Sequence, residues 1–93
     1  MDLKDLRYFI AAYESRRYSS ASSALGTSPS NLSARMLKLE RSLGELLFER
    51  KWRRMVPTEK GEELYVCAKQ VIGALDDAER AFGPRSLPAR SRS

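Results

Sequence analysis

Between positions 51 and 54 three cationic side chains, Lys51, Arg53 and Arg54, crowd around Trp52. Upstream, the polar run Ser28, Pro29, Ser30, Asn31 and Ser33 leads into two further cations, Arg35 and Lys38. Cations packed this densely repel one another unless an anion sits among them. Hydroxyls and a carboxamide add hydrogen-bonding edges without net charge. The chemistry on offer is binding, and phosphate is an anion that arginine forks and helix N-termini both suit. Bond-making chemistry finds little support. The chain has no His and one Cys, Cys67, which argues against zinc sites, disulfides and Ser-His-Asp or Cys-His arrangements together. No Gly-rich phosphate loop stands ready for a nucleotide cofactor. No catalytic residue, metal or cofactor is assigned, and the chain reads as a non-enzyme.

The net charge of +5 is unevenly placed. Residues 1–57 carry 11 Lys/Arg against 6 Asp/Glu, residues 58–83 carry 3 against 6, and residues 84–93 carry 3 against none. A phosphate-binding surface therefore belongs to the first segment, and the acidic stretch after it has another task. At 93 residues the chain suits one small domain with an appendage. Charges interrupt the apolar residues every few positions, and the N-terminus lacks a basic-then-apolar leader, so no membrane association is expected.

The elements that must position these groups follow from apolar spacing. Leu3, Leu6, Phe9, Ile10 and Tyr13 predict a first helix over residues 3–15, with Asp2 as N-cap and Asp5 three residues on. Ser19 to Leu25 predicts a short second helix that Gly26 stops. Ser28 then caps a third helix with Pro29 in its first position, and Leu32, Met36, Leu39 and Leu43 form its buried stripe as far as Gly44. Its opposite face carries Ser30, Ala34, Leu37 and Arg41, flanked by Asn31 and Lys38. A short helix, a Gly-containing turn and a longer helix make the helix-turn-helix layout.

Leu47 to Arg50 and Met55 to Pro57 predict two strands, with Lys51 to Arg54 as a basic hairpin tip, a wing. Thr58 caps a fourth helix in which Leu64, Ala68, Val71, Leu75, Ala78 and Phe82 form a seam suited to a second helix. Tyr8, Phe9 and Tyr13 are expected in the core. The tail is Ser, Arg and Pro with isolated Leu87, too little apolar surface to offset the cost of ordering. The expected fold is mainly α: a winged helix-turn-helix of three helices and a two-stranded wing, then a long linker and dimerisation helix. Its divisions are residues 1–58, 59–83 and a disordered tail, 84–93.

Met1 to Phe9, Ala24-Leu25, Ser28, Leu32-Ser33, Leu39-Glu40, Leu43-Gly44, Leu47-Phe48-Glu49-Arg50, Arg53-Arg54 and Thr58 to Glu62, taken in order, resemble the N-terminal domain of the LysR-type transcriptional regulators. The resemblance covers residues 1–82. Within the family, Ala12 to Arg16 and Ser28-Pro29-Ser30 are similar to the regulators of the isomeroreductase of branched-chain amino-acid synthesis.

The resemblance implies sequence-specific binding of double-stranded DNA by a homodimer, in the cytoplasm at the nucleoid. Higher oligomers would need the family's effector domain, which nothing here can form, so the chain reads as a fragment, a truncated product or a stand-alone domain. Ser28 to Arg35 would enter the major groove, with Ser30, Asn31 and Ser33 on base edges or phosphates and Arg35, Lys38 and Arg41 anchoring the strand. Lys51, Arg53 and Arg54 would serve the wing in a minor groove. One departure matters. The family often has Arg after the Leu-Ser pair, whereas this chain has Ala34 and places Arg35 one step, about 100°, further round the helix.

Plainer readings stand beside these. The third helix also reads as a core helix with a wet outer face, and the wing as a solvated turn. Trp52 either covers the hairpin's base, the favoured reading, or stacks near a sugar-phosphate edge. Cys67 reads as a small buried residue beside the seam. A rival from another class is an interaction protein that pairs through the fourth helix with full-length regulators and blocks them. Salt-sensitive binding to a duplex separates the two.

Overall fold

A computed structural model describes residues 1–52 and 54–83. Arg53 and the tail expected to be disordered, residues 84–93, lie outside the described residues. The elements run α1 (Leu3–Ser15), α2 (Tyr18–Leu25), α3 (Pro29–Leu43), β1 (Phe48–Lys51), β2 (Arg54–Pro57) and α4 (Glu59–Phe82). This is the mainly helical architecture expected, with a two-stranded antiparallel sheet as the wing.

Local chemistry sets most of the boundaries. At the start of α1 the Asp2 carboxylate accepts the Asp5 N–H at 2.8 Å while Asp5 accepts the Asp2 N–H at 3.0 Å, a reciprocal capping box. Ser28 accepts the Asn31 N–H at 3.1 Å, and Pro29 follows where its missing N–H costs nothing. Gly26 and Gly44 close α2 and α3 at φ 70° and 71°. The stop of α1 was not expected: Arg16 takes the left-handed conformation at φ 60° and returns its N–H to the Ala12 carbonyl at 2.8 Å.

Phe9, Leu32, Met36, Leu47, Phe48 and Met55 are fully buried where α1, α3 and the wing meet. Each contributes about 2 kcal/mol through the apolar area it removes from water. Phe9 tilts onto Phe48 with ring centroids 5.4 Å apart, which joins the first helix to the first strand. Tyr8 and Phe9 are core residues as expected, whereas Tyr13 is half-buried.

The wing pairs Phe48 with Pro57 through to Lys51 with Arg54. Toward the tip each strand therefore runs one residue further than expected, to Lys51 and to Arg54. The wing's second strand is tied to the joint between α1 and α2: Met55 N–H donates to the Arg16 carbonyl at 2.9 Å, and Arg17 bridges Arg54.

The start of α4 is pinned from both sides. Thr58 Oγ1 donates to the Leu46 carbonyl at 2.6 Å and accepts the Gly61 N–H at 3.1 Å. Gly61 then passes so near the strand that a Cβ would lie 2.2 Å from the Leu47 carbonyl oxygen. Further along, Tyr13 and Tyr65 stack at 3.8 Å with an interplanar angle of 9°. Tyr13 donates to Glu62, Tyr65 donates to Glu14 at 2.6 Å, and Arg7 approaches Asp76 at 3.7 Å.

These contacts correct the expected seam. Ala68 is buried and Leu64 half-buried against the chain's own body, together with Ile72, so Ala68 is closed to a second helix and Leu64 is open only in part. Leu75 is half-buried. The outward stripe is instead Cys67, Val71, Ala74, Ala78 and Phe82, with Phe82 81% exposed. Cys67, expected to be buried, is exposed.

Candidate nucleic-acid interface

Ser28, Pro29, Ser30 and Asn31 are all exposed on the first turn of α3. Their polar groups are partly engaged with one another: Ser28 Oγ lies 3.3 Å from Ser30 Oγ, and Asn31 Nδ2 donates to Thr27 Oγ1 at 2.7 Å. This orients the side chains and leaves acceptor positions for an incoming donor. Ser33 is half-buried, Lys38 and Arg41 are exposed, and Ala34 and Leu37 stand open between them. The outer face of α3 thus mixes hydroxyls, an amide, cations and a small apolar patch.

Arg35 is not a free cation. Its Nη1 donates to Asp5 Oδ1 at 2.7 Å, and its guanidinium lies 4.9 Å from the Tyr8 ring centroid. For Asp5, burial pushes the carboxyl's pKa up. The bond from Arg35, the Asp2 amide and the nearby positive charges outweigh it and hold the carboxyl below its usual value. The sequence-based role of Arg35 as a strand anchor needs this revision: a phosphate at Nη1 would have to displace a bound carboxylate. Beside the pair, a groove of about 420 Å³ runs between the start of α1 and α3, with Asp2 and Asp5 on one side and Lys38 on the other.

At the wing, Lys51 and Arg54 are exposed on the last rung before the turn. Lys51 Nζ is 3.5 Å from Glu49, a solvated pair worth little on its own. Trp52 does not cover the hairpin's base. Its side chain is 99% exposed at the tip, and its backbone is left-handed at φ 59°.

Glu40 connects the two surfaces. This buried carboxylate accepts Leu47 N–H at 2.7 Å and Phe48 N–H at 3.1 Å through Oε2, and Arg50 Nη1 at 3.2 Å. Its Oε1 is also 3.0 Å from Arg50 Nη1, close enough to count as an ion-pair contact although it has no directed hydrogen bond there. The helix that presents the polar face is thereby fastened to the strand that presents the wing. Glu40 was available to sequence reasoning, since it falls four residues after Met36 and eight after Leu32, on the stripe read as apolar.

A family model for bacterial regulatory helix-turn-helix proteins of the lysR family matches residues 3–62. The chain belongs to the lysR family. This LysR-family domain is 44% identical over 72 residues to the HTH-type transcriptional activator IlvY of Salmonella typhimurium, covering 77% of the chain and 24% of that protein. It is also 44% identical over 78 residues to the HTH-type transcriptional regulator BudR of Raoultella terrigena, covering 84% of the chain and 27% of that protein. The chain therefore spans about a quarter of the length of these relatives.

Among solved structures, the LysR-family domain is similar to BenM_DBD in complex with catB site 1 DNA, with TM-score 0.86, 28% identity and coverage of 95% of this chain and 99% of that one. The CbnR_DBD–DNA complex is similar at TM-score 0.78, with 31% identity and coverage of 87% and 97%. No helix among the described residues is long and apolar enough to cross a membrane.

Proposed function

We propose that the chain is the DNA-binding portion of a LysR-type transcriptional regulator: a non-enzymatic module that binds duplex DNA sequence-specifically, at the nucleoid in the cytoplasm. Its divisions are a winged helix-turn-helix over residues 1–58 and a linker helix over residues 59–83. Ser30, Asn31 and Ser33 read base edges from the major groove, with Ser28 and Pro29 fixing where the helix starts. Lys38, Lys51, Arg53 and Arg54 hold phosphates, and Arg35 joins them when it releases Asp5. Two copies pair along the outward stripe of α4, where Val71, Ala78 and Phe82 stand open.

The observation that carries this reading is the exposed polar first turn of α3, held through Glu40 on the same frame as the cationic wing. The likeness to domains solved on DNA supports it. No specific observation favours an interaction-only protein. The deciding experiment is selection of bound duplexes from a random pool, followed by titration of the enriched duplex across salt concentrations. Two related half-sites and affinity falling steeply with salt are expected. Absence of enrichment, or salt-independent binding, overturns the proposal.

A further inference from the structure

Trp52 is the chain's one tryptophan. The side chain is 99% exposed, and no aromatic or cation–π contact among the described residues involves it. The residue also holds φ at 59°, a conformation that hairpin turns normally give to Asn, Asp or Gly. For the isolated chain, both the backbone conformation and the exposed ring are unfavourable. The rung beneath it sets Lys51 opposite Arg54, like charges that repel across a strand pair.

A partner that relieves the ring's exposure and the charge repulsion must offer anions on its rim and an apolar surface between them. The minor groove of duplex DNA has that arrangement, with phosphates along its edges and deoxyribose walls inside, and apolar side chains are known to enter it as wedges at base steps. The hairpin is also placed firmly enough to deliver the ring, because Met55 bonds Arg16 and Arg54, on the last rung before the turn, bridges Arg17.

We propose that Trp52 is a DNA-contacting residue of the wing, its indole packed between the deoxyribose walls of the minor groove while Lys51 and Arg54 face the flanking phosphates. The inference rests on the DNA-binding reading above and adds to it a contact that supplies affinity at any sequence, since every step of the groove presents sugar walls.

The test titrates the full chain at low salt with a labelled mixed-sequence duplex, reading duplex anisotropy and Trp52 emission together. Saturating anisotropy with quenched emission and lost acrylamide access is expected. Trp52→Ala should bind about tenfold more weakly and Trp52→Phe should recover most of that loss. Saturating anisotropy with unchanged emission and acrylamide access, or unchanged affinity of Trp52→Ala, overturns the role of Trp52 and leaves DNA binding standing. No anisotropy change overturns both. A larger emission change with phosphatidylglycerol vesicles than with duplex, at equal phosphate, would assign the tip to a lipid surface and likewise overturn the proposal.

Discussion

Glu40 is an acid that a helix would ordinarily leave in water, yet it is buried with the Leu47 and Phe48 amides and the Arg50 guanidinium on its carboxylate. Removing one partner of such a pair strands the other, so Glu40→Ala should destabilise the domain by about 3 kcal/mol. Glu40→Gln, which keeps an acceptor for the amides, should cost less. Urea midpoints check this, and Glu40→Ala within about 1 kcal/mol of wild type would remove Glu40 from its structural role. At the interface, Arg54→Ala should weaken binding on specific and random duplexes alike, whereas Ser30→Ala should change the ranking of sites. Competition binding separates them, and equal losses for both variants on both duplexes would contradict the division. Residue placement was legible where the partner is local. Asp2, Ser28 and Thr58 cap as their positions foretell because each bonds within three residues. Arg35 escaped because its partner, Asp5, is 30 residues away in the chain. Trp52 was placed at the tip, but its full exposure escaped, because spacing does not say whether a ring there folds back over the hairpin.

Among the elements, α4 shows both what apolar spacing reveals and what it hides. The heptad-like pattern announces a long helix with a buried face, but it cannot say whether another chain or the same chain buries it. Ala68 is covered by the chain's own body and Leu64 in part, and the open stripe lies to one side of the predicted one. Glycine position is equally two-sided. Exchanging Gly for Ala inside a helix is worth up to about 1 kcal/mol in the helix's favour. At Gly73, where a Cβ meets nothing within 4 Å, that gain should be realised. At Gly61 the Leu47 carbonyl stands in the way, so Gly61→Ala should instead destabilise by about 2 kcal/mol. Thermal melts of the two variants should move in opposite directions, and a shift of the same sign in both would refute the collision.

The tyrosine clamp between α1 and α4 has its own signature. The bond to Glu14, with burial and the charge of Glu14 behind it, pushes the Tyr65 phenol up to about 12, and the bond to Glu62 raises Tyr13. A phenol raised by folding lends its full stability below its ordinary value of 10 and loses it as pH rises through about 12. Tyrosinate absorbance should therefore show a late component near pH 12 that shrinks in Tyr65→Phe. An unchanged titration in that variant would argue that the clamp is open in solution.

As a whole the molecule measures 56 × 25 × 20 Å, and the far half of α4 supplies its length. Val71, 44% exposed, and Phe82, 81% exposed, lie on that half. If the proposed pairing along this stripe holds, Val71→Asp with Phe82→Asp should leave a monomer in sedimentation and weaken binding to paired half-sites far more than to one. A dimer that survives both changes would move the interface off this stripe. The unit formed by α3 and the wing has a further property. Glu40 clasps helix and strand, the Arg16 carbonyl holds the wing from behind, and Phe9 fills the space between, so the distance from α3 to the wing's strands is set before any partner arrives. A calliper with a locked jaw leaves all adjustment to the object measured. Duplexes whose groove widths already match, or whose steps yield cheaply to match, should bind best even when the differing base pairs are touched by no side chain.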